Sequence, residues 1–196
     1  INIKNYYSNS IASDTFKKLY KEYEAELETR NKLDFEDMLS LTYELLSERK
    51  DILTAVQNRY QYILVDEFQD INFLQYNIIK LMAGKKQNIT VVGDDDQSIY
   101  RFRGARPEIM LGFERDFRNV SKVFLDINFR STTQIVDAST KLISFNSKRF
   151  PKTFKANNGS GAPVSVIEFK NPFAEVNSII KDIKEYIKAE QDINNI

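Results

Sequence analysis

The chain has 196 residues, of which 42% are hydrophobic, enough to bury a core in one large domain or in one and a half small ones. Lysine plus arginine and aspartate plus glutamate each number 28, so the net charge does not indicate a nucleic-acid partner and any basic surface must be local. Cysteine and histidine are absent, which excludes disulfides, thiolate zinc sites and serine–histidine catalysis, so any catalysis must use carboxylates, amides, arginine and a metal.

Two amphipathic helices are predicted in the first fifty residues. Residues 1–12 are polar with no usable period and are predicted to be a frayed leader. From Ser13 onward, apolar residues recur at the spacing of one helical stripe, which comprises Phe16, Leu19, Tyr23 and Leu27. Asp34, with Asp37 three residues later, has the pattern of an N-cap for a second helix that ends near Arg49.

A strand, a helix and a second strand follow. Tyr62–Val65 is short, apolar and β-rich, which predicts a strand buried on both faces of a parallel sheet, and Ile89–Val92 predicts another. Between them a helical stripe ends at Gly84, and its members are Leu74, Ile78, Leu81 and Met82. The three elements predict a βαβ unit, which is right-handed in nearly all proteins. Ligands bind beyond the carboxyl ends of parallel strands, so Asp66-Glu67 and Gly93-Asp94 are predicted to lie at the mouth of a site.

The middle of the chain predicts one more helix and one more strand. Pro107 suits the first turn of a helix. The apolar face of that helix comprises Ile109, Phe113 and Phe117. A third strand is predicted at Val123–Leu125.

The last third predicts two helices around a strand. Ser131–Gln134 has the pattern of a capping box for a helix that runs toward Asn146. Residues 150–162 predict a loop and residues 163–169 a strand. Asn171-Pro172 predicts the start of a final helix, followed by a loose polar tail after Ala189.

Three segments resemble motifs II, III and IV of the UvrD/Rep/PcrA group of superfamily 1 helicases. They are Asp66–Asp70, Gly93–Ala105 and Leu125–Ser131, in the family's order and at family-like spacing. The resemblance extends less sharply from about Leu33 to about Lys188. It implies an α/β, RecA-like fold of the P-loop NTPase type, with a parallel sheet flanked by helices. By this analogy residues 1–126 are the later part of a first motor domain and residues 127–196 the beginning of a second.

The chain is predicted to be an internal piece of a longer motor protein. It contains no Gly-x-x-x-x-Gly-Lys-Ser/Thr loop to cradle nucleotide phosphates, and it begins at Ile1. Negligible ATPase activity is therefore expected of the isolated chain. It has no long apolar span and no signal-peptide pattern, which predicts a cytoplasmic location without a membrane partner.

The resemblance implies ATP and Mg²⁺ as cofactors and assigns roles to five residues. Asp66 corresponds to the Mg²⁺ ligand and Glu67 to the general base that activates water. Gln97 corresponds to the residue that contacts the γ-phosphate or the attacking water and reports hydrolysis to the DNA site. Arg130 resembles the motif IV arginine that reaches the γ-phosphate, a type of group worth roughly 10³ to 10⁵ in rate. Phe129 stands where relatives carry the aromatic, commonly Tyr, that stacks on adenine, and its alternative is a core Phe.

Tyr100, Phe102 and Arg103 are the predicted DNA-binding residues. Aromatic faces stack on unpaired bases at about 1–3 kcal/mol each, and arginines contact phosphates. Relatives often have Trp where Phe102 stands. The implied partners are single-stranded DNA, DNA duplex junctions and the remainder of the parent helicase chain. A core-filling role for Phe102 is the alternative.

Two other functions compete with an ATP-dependent helicase or translocase. A degenerate relative would be a non-catalytic nucleic-acid clamp or interaction module, and the presence of a phosphate-binding loop in the parent protein discriminates the two. The acidic run Asp94–Asp96, with Asp66 and Glu67, would hold two metals in a nuclease. Nuclease activity is disfavoured because consecutive residues leaving a strand are expected to point apart and no histidine or lysine completes the site.

Overall fold

The computed structural model describes residues 10–189, which form two units. The first unit contains the described residues up to Val123 together with Ser147–Pro151, and the second contains Phe124–Asn146 and the described residues from Lys152 onward. Nearly all of the predicted leader and the whole predicted tail lie outside the described residues. None of the helices between residues 10 and 189 is long and apolar enough to cross a membrane.

Three helices open the first unit: α1 (Ser13–Thr29), α2 (Phe35–Glu48) and α3 (Lys50–Arg59). The predicted cap of α2 is confirmed, because an Asp34 carboxylate oxygen accepts the Asp37 amide at 2.8 Å and Asp37 accepts the Asp34 amide at 3.1 Å. The sequence analysis missed α3, which follows α2 after the single non-helical residue Arg49. The stripe predicted for α1 forms, but no residue of this helix is buried.

The βαβ unit is confirmed. Strand β1 (Ile63–Val65) pairs in parallel with β2 (Ile89–Val91), and α4 (Phe73–Ala83) connects them. Gly84 follows α4 with a φ of 52°, a conformation that glycine adopts at little cost. The prediction of strands buried on both faces is wrong, because Leu64 is 77% exposed while its neighbours are half-buried. Each strand therefore has one face toward the core and one toward solvent.

The core of the first unit lies on one face of the β1–β2 pair. Its buried apolar residues are Phe68, Ile71, Tyr76, Ala83, Ile109 and Phe117. Phe68 is fully buried, and its ring meets Tyr76 and Phe113 edge-on with centroids 6.1 and 5.5 Å apart. Aromatic pairs in this geometry contribute about 0.5–1.5 kcal/mol beyond the area that they bury. The residue that follows the acidic pair of motif II therefore anchors that pair to the core.

The helix predicted from Pro107 is two short helices, α5 (Pro107–Leu111) and α6 (Phe113–Asp116). Gly112 separates them, at a position where a β-carbon would collide with the Arg115 side chain and the Glu108 carbonyl. Pro107 begins α5 as predicted, and Ile109 and Phe117 are buried. The strand predicted at Val123–Leu125 is wrong: these residues are irregular, and both Val123 and Leu125 are exposed.

The second unit contains β3 (Ile127–Asn128), α7 (Thr133–Ile143), β4 (Lys155–Ala156) and α8 (Pro172–Lys188). Strands β3 and β4 pair in parallel. The strand predicted at residues 163–169 is wrong, and the predicted loop at 150–162 contains β4. Alternating apolar residues form a strand only beside a partner, and Val166 is 93% exposed. Helix α8 begins as predicted, with Asn171 accepting the Ala174 amide at 2.9 Å.

The capping box predicted at Ser131–Gln134 does not form. Thr132 makes no side-chain capping bond, and the Gln134 side chain instead accepts the Gly161 amide at 2.7 Å. It also donates to the Ser160 hydroxyl at 2.5 Å. Gln134 therefore ties α7 to the loop after β4. The two parallel strand pairs and their surrounding helices agree with the predicted α/β class.

Candidate functional site

Asp66 and Glu67 lie at the carboxyl end of β1, and both side chains are exposed. The Glu67 amide donates to Asp66 Oδ1 at 2.9 Å. Glu67 has a φ of 49° and a ψ of 41°, the left-handed region, which a residue with a β-carbon adopts only when its surroundings require it. Backbone bonds on both sides supply that requirement, since the Val92 amide donates to Val65 O and the Phe68 amide donates to Val92 O. The ends of β1 and β2 therefore fix the turn that presents both carboxylates.

Gln69 is the residue of motif II that sequence reasoning missed. Its side chain is only 1% exposed. Its Nε2 donates to Glu67 Oε2 at 2.8 Å, and its Oε1 accepts the Asp94 amide at 3.0 Å. The Ser98 hydroxyl donates to the Gln69 carbonyl at 3.3 Å. One buried amide side chain thus joins the end of β1 to the loop after β2.

Gly93 makes this junction possible. A β-carbon at this position would collide with Gln69 Oε1 and with the amide nitrogens of Phe68 and Gln69. Any larger residue would therefore separate the two strand ends. In the sequence, Gly93 two residues after β2 was the only local indication that the ends of β1 and β2 approach each other closely. It does not identify Gln69 as the residue that lies against it.

The acidic run after β2 forms a short 3₁₀ turn at Asp95–Gln97. Asp94 Oδ1 accepts the Asp96 amide at 3.1 Å, and Asp94 Oδ2 accepts the Gln97 Nε2 at 2.9 Å. The expectation that the three carboxylates point apart is wrong, because a ligand oxygen from each lies within 4.8 Å of the others. They are, however, bonded to the protein's own donors, including the Phe150 amide, which Asp95 accepts at 2.8 Å.

We define the acidic edge as Asp66, Glu67, Gln69, Asp94 and Gln97. Glu67 and Gln97 are linked through Gln69 and Asp94 rather than by a direct hydrogen bond. The Gln97 side chain is exposed, whereas Gln69 is buried. The predicted site residues Asp66, Glu67 and Gln97 therefore belong to one hydrogen-bonded assembly in the first unit.

We define the aromatic hook as Tyr100, Phe102 and Arg103. Phe102 is 79% exposed and Tyr100 39%, so neither fills the core. The Arg103 guanidinium lies 5.0 Å from the Tyr100 ring centroid and 5.4 Å from that of Phe102. Cation–π contacts of this length hold a cation against ring faces. The hook is a local group of two rings and one charge, open to solvent.

Phe129 and Arg130 lie in the second unit, directly after β3, and both are exposed. The Asn128 carboxamide oxygen accepts the amides of Arg130 and Ser131 at 2.9 and 2.8 Å. Asn158 donates to the Phe129 carbonyl at 3.1 Å. Phe129 is 69% exposed, so its alternative interpretation as a core residue is not supported.

The residues at the acidic edge fit a magnesium ion. Mg²⁺ prefers oxygen ligands and takes only one or two carboxylates while it keeps several waters. Asp66 and Glu67 supply exposed carboxylates at the end of a parallel strand, and the sequence offers no cysteine or histidine that would favour zinc. For a nucleotide, the chain has an exposed aromatic ring and an arginine at Phe129-Arg130 but no glycine-rich phosphate loop.

A second residue that sequence reasoning missed is Arg149, in the returning segment Ser147–Pro151 of the first unit. Its guanidinium makes two bonds to Asp96, at 2.7 and 2.6 Å. In the sequence this arginine lies between the predicted helix that runs toward Asn146 and the predicted loop at residues 150–162, 53 positions away from its partner. Nothing local could have identified the pair.

Two family models together match nearly the whole chain. The UvrD/REP helicase N-terminal domain matches residues 2–118, and the UvrD-like helicase C-terminal domain matches residues 123–196. The chain is 41% identical over 172 residues to the Bacillus subtilis protein YjcD, covering 87% of this chain and 22% of that protein.

Relatives from other bacteria give the same result. A protein named ATP-dependent DNA helicase PcrA from Leuconostoc citreum is 38% identical, over 88% of this chain and 23% of its own length. A protein named DNA helicase II homolog from Mycoplasma capricolum is 38% identical, over 92% of this chain and 25% of its own length. The chain thus spans about a quarter of the length of the curated relatives it matches. With motifs II, III and IV present and both family models matched, the chain belongs to the UvrD/REP helicase family.

Proposed function

We propose that this chain is part of an ATP-dependent DNA helicase that couples ATP hydrolysis to movement along single-stranded DNA and to duplex unwinding. The observation that carries the proposal is the acidic edge, in which the exposed Glu67 is held by the buried Gln69 and linked to Gln97. Relatives named ATP-dependent DNA helicases support the choice of ATP and DNA. Residues 1–126 would belong to a first motor domain and residues 127–196 to a second.

Water activation is the step for which the acidic edge is best suited. Mg²⁺, when bound, neutralises charge on the β- and γ-phosphates. Asp66 would hold the ion, and Glu67 would accept the proton of the attacking water. Gln69 donates to Glu67 Oε2, which leaves Oε1 as the oxygen for that proton. Because Gln69 is buried, its bond fixes the direction of the carboxylate before substrate binds.

Gln97 is suited to sense the γ-phosphate because an amide both donates and accepts hydrogen bonds. Its Nε2 donates to Asp94, and its carbonyl oxygen remains to accept from the attacking water. Arg130 would place positive charge on the γ-phosphate, and Phe129 would stack on adenine. The bonds from Asn128 hold the turn that carries both residues.

The aromatic hook would bind single-stranded DNA and the unpaired strand at duplex junctions. Phe102 and Tyr100 offer ring faces for stacking, and Arg103 offers a cation for a phosphate. Only the four residues Ser98–Arg101 separate Gln97 from Phe102 in the chain. A change at Gln97 on hydrolysis would therefore move the stacking ring along the strand, together with cleft closure and opening in the motor.

The test is turnover of the protein purified from its complete reading frame. We expect ATP hydrolysis that single-stranded DNA stimulates, and we expect Glu67→Gln to lower kcat by about 10²-fold or more because it removes the general base. The matched control is Glu48→Gln, the same change at an exposed position at the end of α2. A protein that binds single-stranded DNA with no turnover, or a Glu67→Gln variant with unchanged kcat, would contradict the proposal.

A further inference from the structure

The ion pair between Arg149 and Asp96 is largely shielded from solvent. The Arg149 side chain is 15% exposed and the Asp96 side chain 9%. Two guanidinium nitrogens donate to the carboxylate, Nε to Oδ1 at 2.7 Å and Nη2 to Oδ2 at 2.6 Å. The hydrogen bonds that Arg149 donates to Asp96 raise the pKa of the guanidinium above its usual range, so it stays charged. Such planar, two-bond pairing fixes direction as well as distance.

The segment that carries Arg149 is itself held to the acidic run. The Phe150 amide donates to Asp95 Oδ2 at 2.8 Å. The Lys122 ammonium lies 4.6 Å from the centroid of the Phe150 ring. Residues on both sides of Ser147–Pro151 belong to the second unit, but this segment belongs to the first. Two consecutive residues of the returning segment thus hold two consecutive carboxylates.

The two residues that carry those carboxylates, Asp95 and Asp96, form the 3₁₀ turn that ends in Gln97. Asp96 donates its amide to Asp94 Oδ1, and Gln97 donates both its amide to the Asp94 carbonyl, at 2.9 Å, and its Nε2 to Asp94 Oδ2. A displacement of Asp96 would therefore disturb the group that orients the Gln97 side chain. Closely packed groups transmit displacements to their neighbours. Arg149 is therefore linked to the Gln97 side chain through Asp96 and Asp94.

We propose that Arg149 is a positioning residue for Gln97: its two-bond contact with Asp96 fixes the 3₁₀ turn of motif III from outside the motif. This inference rests on the proposed function, because it assigns Arg149 to the sensing of hydrolysis. It extends the site to a residue 53 positions downstream of Asp96, outside the three motifs. Arg149 would thereby set how strongly DNA bound at the hook stimulates turnover.

The decisive variant is Arg149→Lys, which keeps the charge but cannot make two parallel bonds. Its matched control is Arg49→Lys, because Arg49 makes the same fork to Asp51, at 3.0 and 2.7 Å, with both side chains exposed. Both variants are made in the protein from the complete reading frame. Two measurements follow: steady-state ATP turnover with and without single-stranded DNA, and hydrogen exchange of peptides that cover residues 94–98.

For Arg149→Lys we expect the DNA-stimulated kcat to fall by about tenfold to a hundredfold, since small misplacements of a positioning group have effects of that size. The KM for ATP should stay within about twofold, because the lost contact acts on the transition state rather than on substrate binding. Exchange at residues 94–98 should accelerate locally, by about fivefold or more, while the rest of the first unit keeps its protection. Arg49→Lys should change none of these quantities.

Unchanged kcat in Arg149→Lys, or unchanged exchange at residues 94–98, would overturn the inference. Loss of protection throughout the first unit, with kcat and KM changed together, would also overturn it in favour of a general structural role. If the unaltered protein shows no turnover, the proposed function fails and the sensing role fails with it. A failure confined to the variants leaves the proposed function standing.

Discussion

The acidic edge and the aromatic hook both contain residues of motif III, but the protein supports their side chains in different ways. At the acidic edge a buried Gln69 and a fully buried Phe68 lie directly behind the exposed carboxylates. At the hook, Tyr100, Phe102 and Arg103 contact one another, and none of the three is buried. Catalytic groups must be oriented before substrate arrives, whereas rings that stack on any base need exposure more than fixed direction. The difference in support therefore follows the difference in proposed task.

The largest effect should come from removing the support of the acidic edge. Gln69→Leu keeps the volume but leaves the Asp94 amide without its acceptor, and it removes the donor to Glu67. We expect the free energy of unfolding to fall by about 2 kcal/mol, within the range for an unsatisfied buried group. Chemical denaturation of the 196-residue chain, followed by circular dichroism, measures this loss.

The control for this variant is Gln61→Leu, at an exposed glutamine whose side chain donates to the Asn58 carbonyl. Surface changes of this kind shift stability by less than about 0.5 kcal/mol. Equal losses of unfolding free energy in the two variants would show that the buried Gln69 does not stabilise the acidic edge. The proposed difference between the acidic edge and the aromatic hook would then be wrong.

A smaller effect is expected behind the edge, where Tyr76 contacts Phe68. The Tyr76 hydroxyl donates to Asp116 Oδ2 at 2.5 Å, and the Lys80 ammonium lies 3.3 Å from the same oxygen. The Tyr76 hydroxyl, and then Lys80, hold the pKa of Asp116 below its usual range, against the opposing effect of burial. Tyr76→Phe should lower the free energy of unfolding at pH 7 by about 1 kcal/mol.

The sign of the pH dependence follows from that lowered pKa. The ionised Asp116 contributes stability above the unfolded-state pKa of about 3.9, and the contribution is lost as pH falls through the lower folded-state value. The difference between wild type and Tyr76→Phe should therefore shrink as pH falls below about 4. Denaturation curves recorded across this pH range measure the stability difference. The control is Tyr23→Phe, because Tyr23 is an exposed tyrosine whose hydroxyl donates to Asp34. A difference that grows on acidification would contradict the assignment.

The same contrast explains what the sequence could predict. The capped start of α2 and the exposed hook rest on contacts between residues close in sequence, which periodicity and capping patterns report. The βαβ unit was predictable because its three periodic segments follow one another in the chain. Motif resemblance indicated Asp66, Glu67 and Gln97 as site residues. It did not indicate that Gln69 is buried between the strand ends or that Arg149 holds Asp96, because those pairs are 25 and 53 residues apart.

Strand prediction failed for a related reason. Val123–Leu125 and residues 163–169 have the apolar content of strands, but a strand exists only where another strand accepts its hydrogen bonds. In the second unit the described pairing joins β3 to β4, two residues each, and β4 came from a segment rich in turn formers. Burial was also misjudged for Leu64, since an apolar run does not report whether both faces are covered.

The smallest effect on stability, and the clearest separation of the two regions, is expected for Phe102→Ala. Because the ring is 79% exposed, the free energy of unfolding should change by less than about 0.5 kcal/mol. Affinity for a fluorescent oligothymidine should nevertheless fall about tenfold, as loss of one stacked base costs about 1–3 kcal/mol. Phe173→Ala removes a comparably exposed ring, 76% exposed at the start of α8, and should change neither quantity. Anisotropy titrations at fixed salt measure the affinity. If Phe102→Ala destabilised the chain and left the affinity for the oligonucleotide unchanged, Phe102 would be a structural residue. The exposure of the aromatic hook could then not be explained by DNA binding, and the proposed contrast with the acidic edge would fail.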